Sequence, residues 1–401
     1  MIMADNNENK VLNVPHLRFP EFSGEWNKYT INDLATVVGG GTPDTTVKSY
    51  WGGDIQWFTP SEIGKNKYVD FSKRTITRDG LDNSSAKLLP LHTILLSSRA
   101  TVGECSIASN ECTTNQGFQS LIAKQCNIDF LYYLIQTKKK DLIRNACGST
   151  FLEISANEIR KIKVAVPVQN EQEQIAKLLS LIDERIATQN KIIEKLQSLI
   201  KGLVDELMTV LLKGKLYPFS SFYIKAGEGG TPTTSVVEYY TEGTIPFIKI
   251  EDLSCKYLTN NKDFITELGM QKSSAWLIPS KSVIYSNGAT IGAISINEYP
   301  VCTKQGILGI VPNTNINVEY LYLLMSSSYF SKEISRIITE GTMKTAYLKD
   351  INHIKCPLPS MAQQKNITNL TSSIEEKLSI EQELLRFLNL QKQYLLHMIF
   401  I

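Results

Sequence analysis

The chain states one pattern twice. Gly40-Gly41-Thr42-Pro43, followed by Thr45, Thr46 and Tyr50, recurs as Gly229-Gly230-Thr231-Pro232 followed by Thr234, Ser235 and Tyr239, at an offset of 189 residues. The offset holds for a second block, in which Leu88-Leu89-Pro90, Ala100-Thr101-Val102-Gly103 and Gln116-Gly117 match Leu277-Ile278-Pro279, Ala289-Thr290-Ile291-Gly292 and Gln305-Gly306. A third block, at offset 192, pairs Pro167 with Pro359 and Ile175 with Ile367, where each copy turns into a long apolar-periodic segment. A period this long signals duplicated domains and not a solenoid, whose repeats run to roughly 20 to 50 residues.

The spacing predicts an α+β domain made twice, each copy leading into a long helix. Short β-branched or aromatic runs read as strands at Ile55 to Phe58, Thr93 to Leu96, Ser120 to Ala123 and Ile162 to Val166. Asp129 to Gln136 and Lys139 to Cys147 read as helices. The second copy repeats the order at Ile245 to Ile250, Ser282 to Tyr285, Ile307 to Val311, Val318 to Ser326 and a strand near Ile354 to Leu358. The chain divides into a first domain with its N-terminal arm (1–168), a central helix (169–213), a second domain (214–360) and a C-terminal helix (361–401).

The helices carry a 3.5-residue apolar repeat, the signature of a coiled coil. In the first, the seam runs from Ile175 and Leu179 through Ile182, Ile186, Gln189, Ile193, Leu196 and Ile200 to Leu203, Leu207 and Val210. The weaker second seam passes through Ile374, Leu378, Glu381, Leu385 and Leu388. Gln189 and Glu381 occupy equivalent places in their seams; each either marks the register or is solvated at an imperfect layer. Because the helices come from two copies of one plan, an antiparallel pair within the chain is the natural closure.

Composition excludes more than it assigns. With 42% apolar residues the chain is long enough for two or three packed cores. Met1 to Pro20 is polar and no run of about 20 apolar residues occurs, so a cytoplasmic protein that does not cross a membrane is expected. The seven cysteines include no Cys-x-x-Cys pair and the four histidines lie far apart, which predicts reduced thiols and no metal. A net charge of +2 argues neither for nor against a polyanionic partner.

No catalytic constellation emerges. The sequence has no phosphate-binding P-loop, no Gly-x-Ser-x-Gly elbow, no His-Glu-x-x-His, and neither of the Asn-Pro-Pro or Asp-Pro-Pro motifs of amino-methyltransferases. The glycine clusters each run into Thr-Pro, which disfavours a phosphate-cradling helix start and favours a tight turn that places Thr42 and Thr231. What remains is a set of polar, basic and aromatic loop residues that differ between the copies while the framework repeats. In the first copy these are Thr42, Trp57, Thr59, Ser61, Lys65 and Lys67, then Arg74, Arg78, Ser98, Arg99 and Gln116. In the second they are Thr231, Lys249, Lys256 and Asn287, then Lys304, Gln305 and Lys344. Arg for guanine, Asn or Gln for adenine, and Lys or Ser for phosphate are what base-edge readout needs. For any one of them a solvated surface role is the simpler reading; as a set they suggest two modules with different targets.

The sequence resembles the specificity subunit of a type I restriction-modification system. The resemblance rests on Leu17-Arg18-Phe19-Pro20-Glu21-Phe22 with Trp26, the paired Gly-Gly-Thr-Pro blocks, Trp57-Phe58-Thr59-Pro60-Ser61-Glu62-Ile63, the two Ala-Thr-[Val/Ile]-Gly blocks, and the helix opening at Pro167-Val168-Gln169. It covers nearly the whole chain. It implies two target-recognition domains, each reading half of a split double-stranded DNA sequence, and two helices in an antiparallel coiled coil. It also implies docking of modification (methyltransferase) subunits, two of them, which in turn bring in restriction subunits. The chain itself would then be non-catalytic and bind no cofactor, S-adenosylmethionine belonging to the modification subunit. The second copy departs from the pattern: Phe247-Ile248-Lys249-Ile250-Glu251 replaces Trp57 to Ser61, and Gly288 stands opposite Arg99. A helix of about 40 residues spans roughly 60 Å, which makes it a ruler for the spacer between half-sites. The contrasting possibility is a coiled-coil adaptor with two protein- or glycan-binding heads, whose binding would be insensitive to salt.

Overall fold

The computed structural model describes residues 2–3, 13–148, 152–288, 290–338 and 344–401. Most of the N-terminal arm and Ala289 of the second Ala-Thr-Ile-Gly block lie outside the described residues. The chain forms two compact units, 1–190 with 383–401, and 191–382.

In the first unit a five-stranded sheet is ordered Ala35–Gly39, Gln119–Ala123, Ile94–Leu96, Cys105–Ala108 and Tyr68–Val69. Neighbours are antiparallel except the last pair, which is parallel. A second sheet centres on Trp51–Phe58, flanked antiparallel by Arg74–Ile76 and parallel by Cys112–Thr114. Asn27–Thr30 pairs with Lys163–Val166. The helix Ile128–Thr137 is buried along most of its length because all of its central residues, Phe130 to Ile135, are apolar or aromatic. Its N-cap is Asn127, whose Oδ1 accepts from Phe130 N.

The second unit repeats this plan strand for strand. Its five-stranded sheet runs Tyr223–Glu228, Ile307–Pro312, Val283–Ser286, Ile294–Asn297 and Tyr257–Leu258, again with only the last pair parallel. Its smaller sheet centres on Ile245–Ile248, between Asp263–Ile265 and Cys302–Thr303. Leu216–Pro218 pairs with Lys355–Pro357, and the helix Val318–Ser326 is capped by Asn317. The duplication legible in sequence is therefore a duplication of topology.

The repeated glycines are explained by close approach. A Cβ on Gly40 would fall 2.0 Å from Asn115 O, and one on Gly229 would fall 2.1 Å from Thr303 O. On Gly41 and Gly230 it would meet Ala86 N at 2.3 Å and Ser274 Oγ at 2.1 Å. None of these four glycines has a positive φ. The tight turn expected at Thr42 and Thr231 lies just beyond them, at 45–46 and 234–235; the glycines themselves are required because the chain passes too close to its neighbours here for any side chain. Gly41 N and Gly230 N donate to Thr114 O and Thr303 O, so these amides serve the fold and are not free to cradle phosphate.

Two long helices, Gln169–Leu211 and Met361–Ile399, each run through both units. In the first unit Ile175, Ala176 and Leu179 share a core with Leu395, Ile399 and Phe400, and Asp183 Oδ1 pairs with Lys392 Nζ at 2.7 Å. Positions rise along one helix as they fall along the other, so these segments are antiparallel. In the second unit Val204 and Met208 share a core with Ile367. Ile182, Ile186, Gln189, Ile193, Leu196 and Ile200 are buried or half-buried, as are Ile374, Leu378, Glu381, Leu385 and Leu388. Beyond Ile200 the seam departs from the heptad. Val204 and Met208 are buried, while Val210 is exposed, because a straight helix lying on a globular core keeps its own 3.6-residue period. Gln189 and Glu381 are both buried, which removes the solvated-layer alternative; Glu381 pairs with Lys377 at 2.5 Å.

Candidate nucleic-acid interface

In the first unit, four loop segments converge at one corner of the head. Asn115 N donates to Phe58 O, Ser98 N to Gly117 O, and Ile154 N to Ser98 O. These bonds bring the segments around 42, 59–61, 97–99 and 115–117 together. Thr42 Oγ1 donates to Gln116 Oε1. Thr59 and Ser61 lie hydroxyl to hydroxyl at 3.1 Å. Glu62 accepts from Thr59 N at 2.8 Å as part of a capping box with Thr59, and separately from Lys73 N at 2.6 Å, which fixes the loop. Arg99 pairs with Glu153 at 2.8 Å on the same corner. Gln116 and Ser61 are exposed there.

Trp57 lies within strand Trp51–Phe58 and not in a loop. It is buried, and its Nε1–H donates to Gly41 O at 2.9 Å, so it props up the segment that carries Thr42. It meets Trp51 edge to face at 5.0 Å, and the Arg74 guanidinium lies 3.6 Å from the Trp51 ring centroid. A stacked guanidinium keeps its N–H fork pre-organised and weakly hydrated, which suits phosphate or base edges. Trp51 went unnoticed in the sequence because its partner on the strand opposite is set only by register.

Several expected contacts are placed elsewhere. Lys67 and Lys256 turn inward against the long helices and are mostly buried. Lys65 is exposed beside the Lys67 cleft, and Arg78 is exposed in a 3.3 Å pair with Asp82. Ser98 and Asn287 are fully buried, so their side chains support the corner from behind.

In the second unit the equivalent corner is built by the same backbone bonds. Lys304 N donates to Ile248 O, Asn287 N to Gly306 O, and Ala346 N to Asn287 O. Asn287 Nδ2 donates to Ala346 O at 3.1 Å. Lys304, Gln305 and Lys344 are exposed. Lys249 pairs with Asp263 at 2.9 Å, and this carboxylate raises the Lys249 ammonium above its ordinary value. Asp263 pairs with Phe247 where Arg74 pairs with Trp57. The two heads thus present opposite charge at one framework position.

Both corners hold buried polar atoms without a hydrogen-bond partner among the described residues. They are Ser98 Oγ, Arg99 Nε and Thr114 Oγ1 in the first, and Thr231 Oγ1, Ser286 Oγ and Asn287 Oδ1 in the second. Such atoms are few in a folded protein and call for an explanation. Ser98 Oγ and Asn287 Oδ1 stand at equivalent places of the two frameworks, and together with the exposed loop residues around them they mark this corner as the candidate interface in each head. Among the described residues no group of three or more His, Cys, Asp or Glu could hold a metal ion, and no helix is long and apolar enough to cross a membrane.

The type I restriction modification DNA specificity domain model matches residues 23–198 and again 222–389. The chain is 29% identical over 382 residues to the type I restriction enzyme MjaIX specificity subunit of Methanocaldococcus jannaschii, covering 88% of each. It is 29% identical over 175 residues to the EcoR124I/EcoR124II specificity subunit of Escherichia coli, covering 42% of this chain and 43% of that one. The crystal structure of the type I S subunit from M. genitalium superposes with a TM-score of 0.54 at 19% identity, covering 97% of this chain and 99% of that chain. A chain solved in work on complex assembly of the type I R-M system gives 0.58 at 14% identity, covering 92% and 96%. Matched twice along its length, in the two places where its topology repeats, the chain belongs to the type I restriction-modification DNA specificity family.

Proposed function

We propose that this chain is the non-catalytic DNA-reading subunit of a type I restriction-modification complex. Each head reads one half of a bipartite double-stranded target. The observation that carries this reading is the pair of equivalent corners, each with unmet buried polar atoms behind exposed Gln116 or Gln305. The groups at the front differ, so the targets differ: Arg74 on its Trp51 platform in one head, Lys304 and Lys344 in the other. The long helices leave Leu181, Leu199, Leu370, Ile380, Phe387 and Leu390 exposed. Leu181, Phe387 and Leu390 in the first unit, and Leu199, Leu370 and Ile380 in the second, are docking residues for modification subunits, two per chain, which bind S-adenosylmethionine and in turn engage the restriction subunits.

Methylome sequencing of cells expressing the chain with its modification partner tests this. A split, asymmetric methylated motif is expected, together with DNA affinity that falls steeply with salt. Salt-insensitive binding with no methylated motif would instead favour an adaptor that binds protein or glycan.

A further inference from the structure

Away from the loops, one charged arrangement recurs in both units. In the first, Lys67 Nζ lies 2.7 Å from Asp129 Oδ1 on the head's helix. It lies 2.7 Å from Ser180 Oγ on the long helix and 3.2 Å from Tyr133 OH. Tyr133 OH donates to Asp183 Oδ2 at 2.6 Å, and Asp183 holds Lys392 of the second long helix. In the second unit Lys256 Nζ lies 2.5 Å from Glu319 of the head's helix and 2.5 Å from Glu375 of the long helix. Tyr68 and Tyr257 donate to the same head acids, Asp129 at 2.9 Å and Glu319 at 2.6 Å. The lysine side chains are 9% and 16% exposed.

Each lysine therefore ties a head to its own segment of long helix. Lys67 and Lys256 stand 189 apart, in step with the framework offset, while the reading loops have diverged. Such desolvated pairs contribute little net stability, since desolvation offsets the attraction; what they can supply is a single geometry. An ammonium has three N–H donors, and Lys67 finds three partners spread over two elements. That number of partners leaves it no freedom to shift.

We propose that Lys67 and Lys256 are positioning residues that fix the angle at which each head leaves the long helix, and through it the spacer length the complex accepts. This rests on the DNA-reading function proposed above. The test is methylome sequencing with the full chain and its modification subunit, comparing wild type with Lys67→Met, Lys256→Met and the conservative Lys67→Arg and Lys256→Arg. The Met variants should keep both half-site sequences while preference for the native spacer over spacers one base pair longer or shorter falls about tenfold, a coupling of ~1.4 kcal/mol. The Arg variants should restore the preference. If the Met variants do not accumulate as folded protein, Asp183→Asn and Glu375→Gln carry the same expectation. Native spacer preference in the folded variants, or equal loss of methylation at every spacer, overturns the proposal. A wild-type chain that directs no bipartite methylation sinks the function reading itself.

Discussion

Glu171→Ala should selectively weaken the first unit. The Glu171 carboxylate sits in the first turn of the long helix Gln169–Leu211 with its side chain 1% exposed. It accepts two bonds from the Arg18 guanidinium at 2.8 Å and one from Trp26 Nε1 at 3.2 Å. This is why the Leu17-to-Trp26 stretch is recognisable: Arg18 and Trp26 clasp the start of the helix from 145 and more residues away. Removing the carboxylate leaves a guanidinium, 10% exposed, without its counter-charge. Breaking a buried pair costs about 3 to 5 kcal/mol, and the residual exposure of Arg18 points to the lower end, about 3. For a unit of about 200 residues, roughly 2 to 4 °C per kcal/mol translates this into a fall of roughly 6 to 12 °C. Scanning calorimetry reads it in the transition of the first unit. Arg18→Met with Glu171→Met should recover at least about half of the loss, because an apolar pair incurs no desolvation penalty. Among the described residues the corresponding Gln363 accepts only from Ser360, at 3.0 Å, in an exposed capping contact, so Gln363→Ala should cost no more than ~1 kcal/mol. A fall below about 2 °C for Glu171→Ala, or a double variant weaker than either single one, would refute the reasoning.

Gly40→Ala and Gly229→Ala should each disable one head, because the new Cβ would meet backbone oxygen at 2.0 and 2.1 Å; methylome sequencing should show loss of one half-site requirement or of all methylation, and normal activity would contradict it. Arg74→Ala should lower the log–log salt slope of DNA binding by about 1 and relax one half-site only, whereas Arg78→Ala, already paired with Asp82, should change less. At pH 8 a thiol reagent should label Cys147 and Cys255 alone. Burial lifts the Cys105, Cys112, Cys126 and Cys356 thiols to about 12 and Cys302 to about 11, against an ordinary 9.0. Since the unfolded chain then loses these protons first as pH rises, folded stability should decline from about pH 9.0 upward; a melting temperature flat to pH 11 would contradict this. Adding four residues to both long helices, about one turn or ~6 Å, should lengthen the accepted spacer and leave the half-sites unchanged; an unaltered spacer would end the ruler idea.

The sequence by itself determined the duplication, the helical seams and most of the central strands, because each is a local or strictly periodic signal. Strand Ile307–Pro312 is a run of apolar residues, and the Ile193 to Ile200 seam repeats at coiled-coil spacing. The strands Cys105–Ala108 and Tyr68–Val69 gave no such signal, being either small-residue or two residues long. They exist because neighbouring strands supply the ladder.

Tertiary structure alone decided which polar residues face outward. Trp57, Ser98 and Asn287 read as recognition residues, yet are buried supports. Lys67 and Lys256 read as phosphate contacts, yet point at acids on helices more than 60 positions away. Trp51, Glu153 and Asp183 acquire their roles only through partners far along the chain. A side chain's direction depends on strand register and on packing between distant segments, and no local pattern of residue types encodes either.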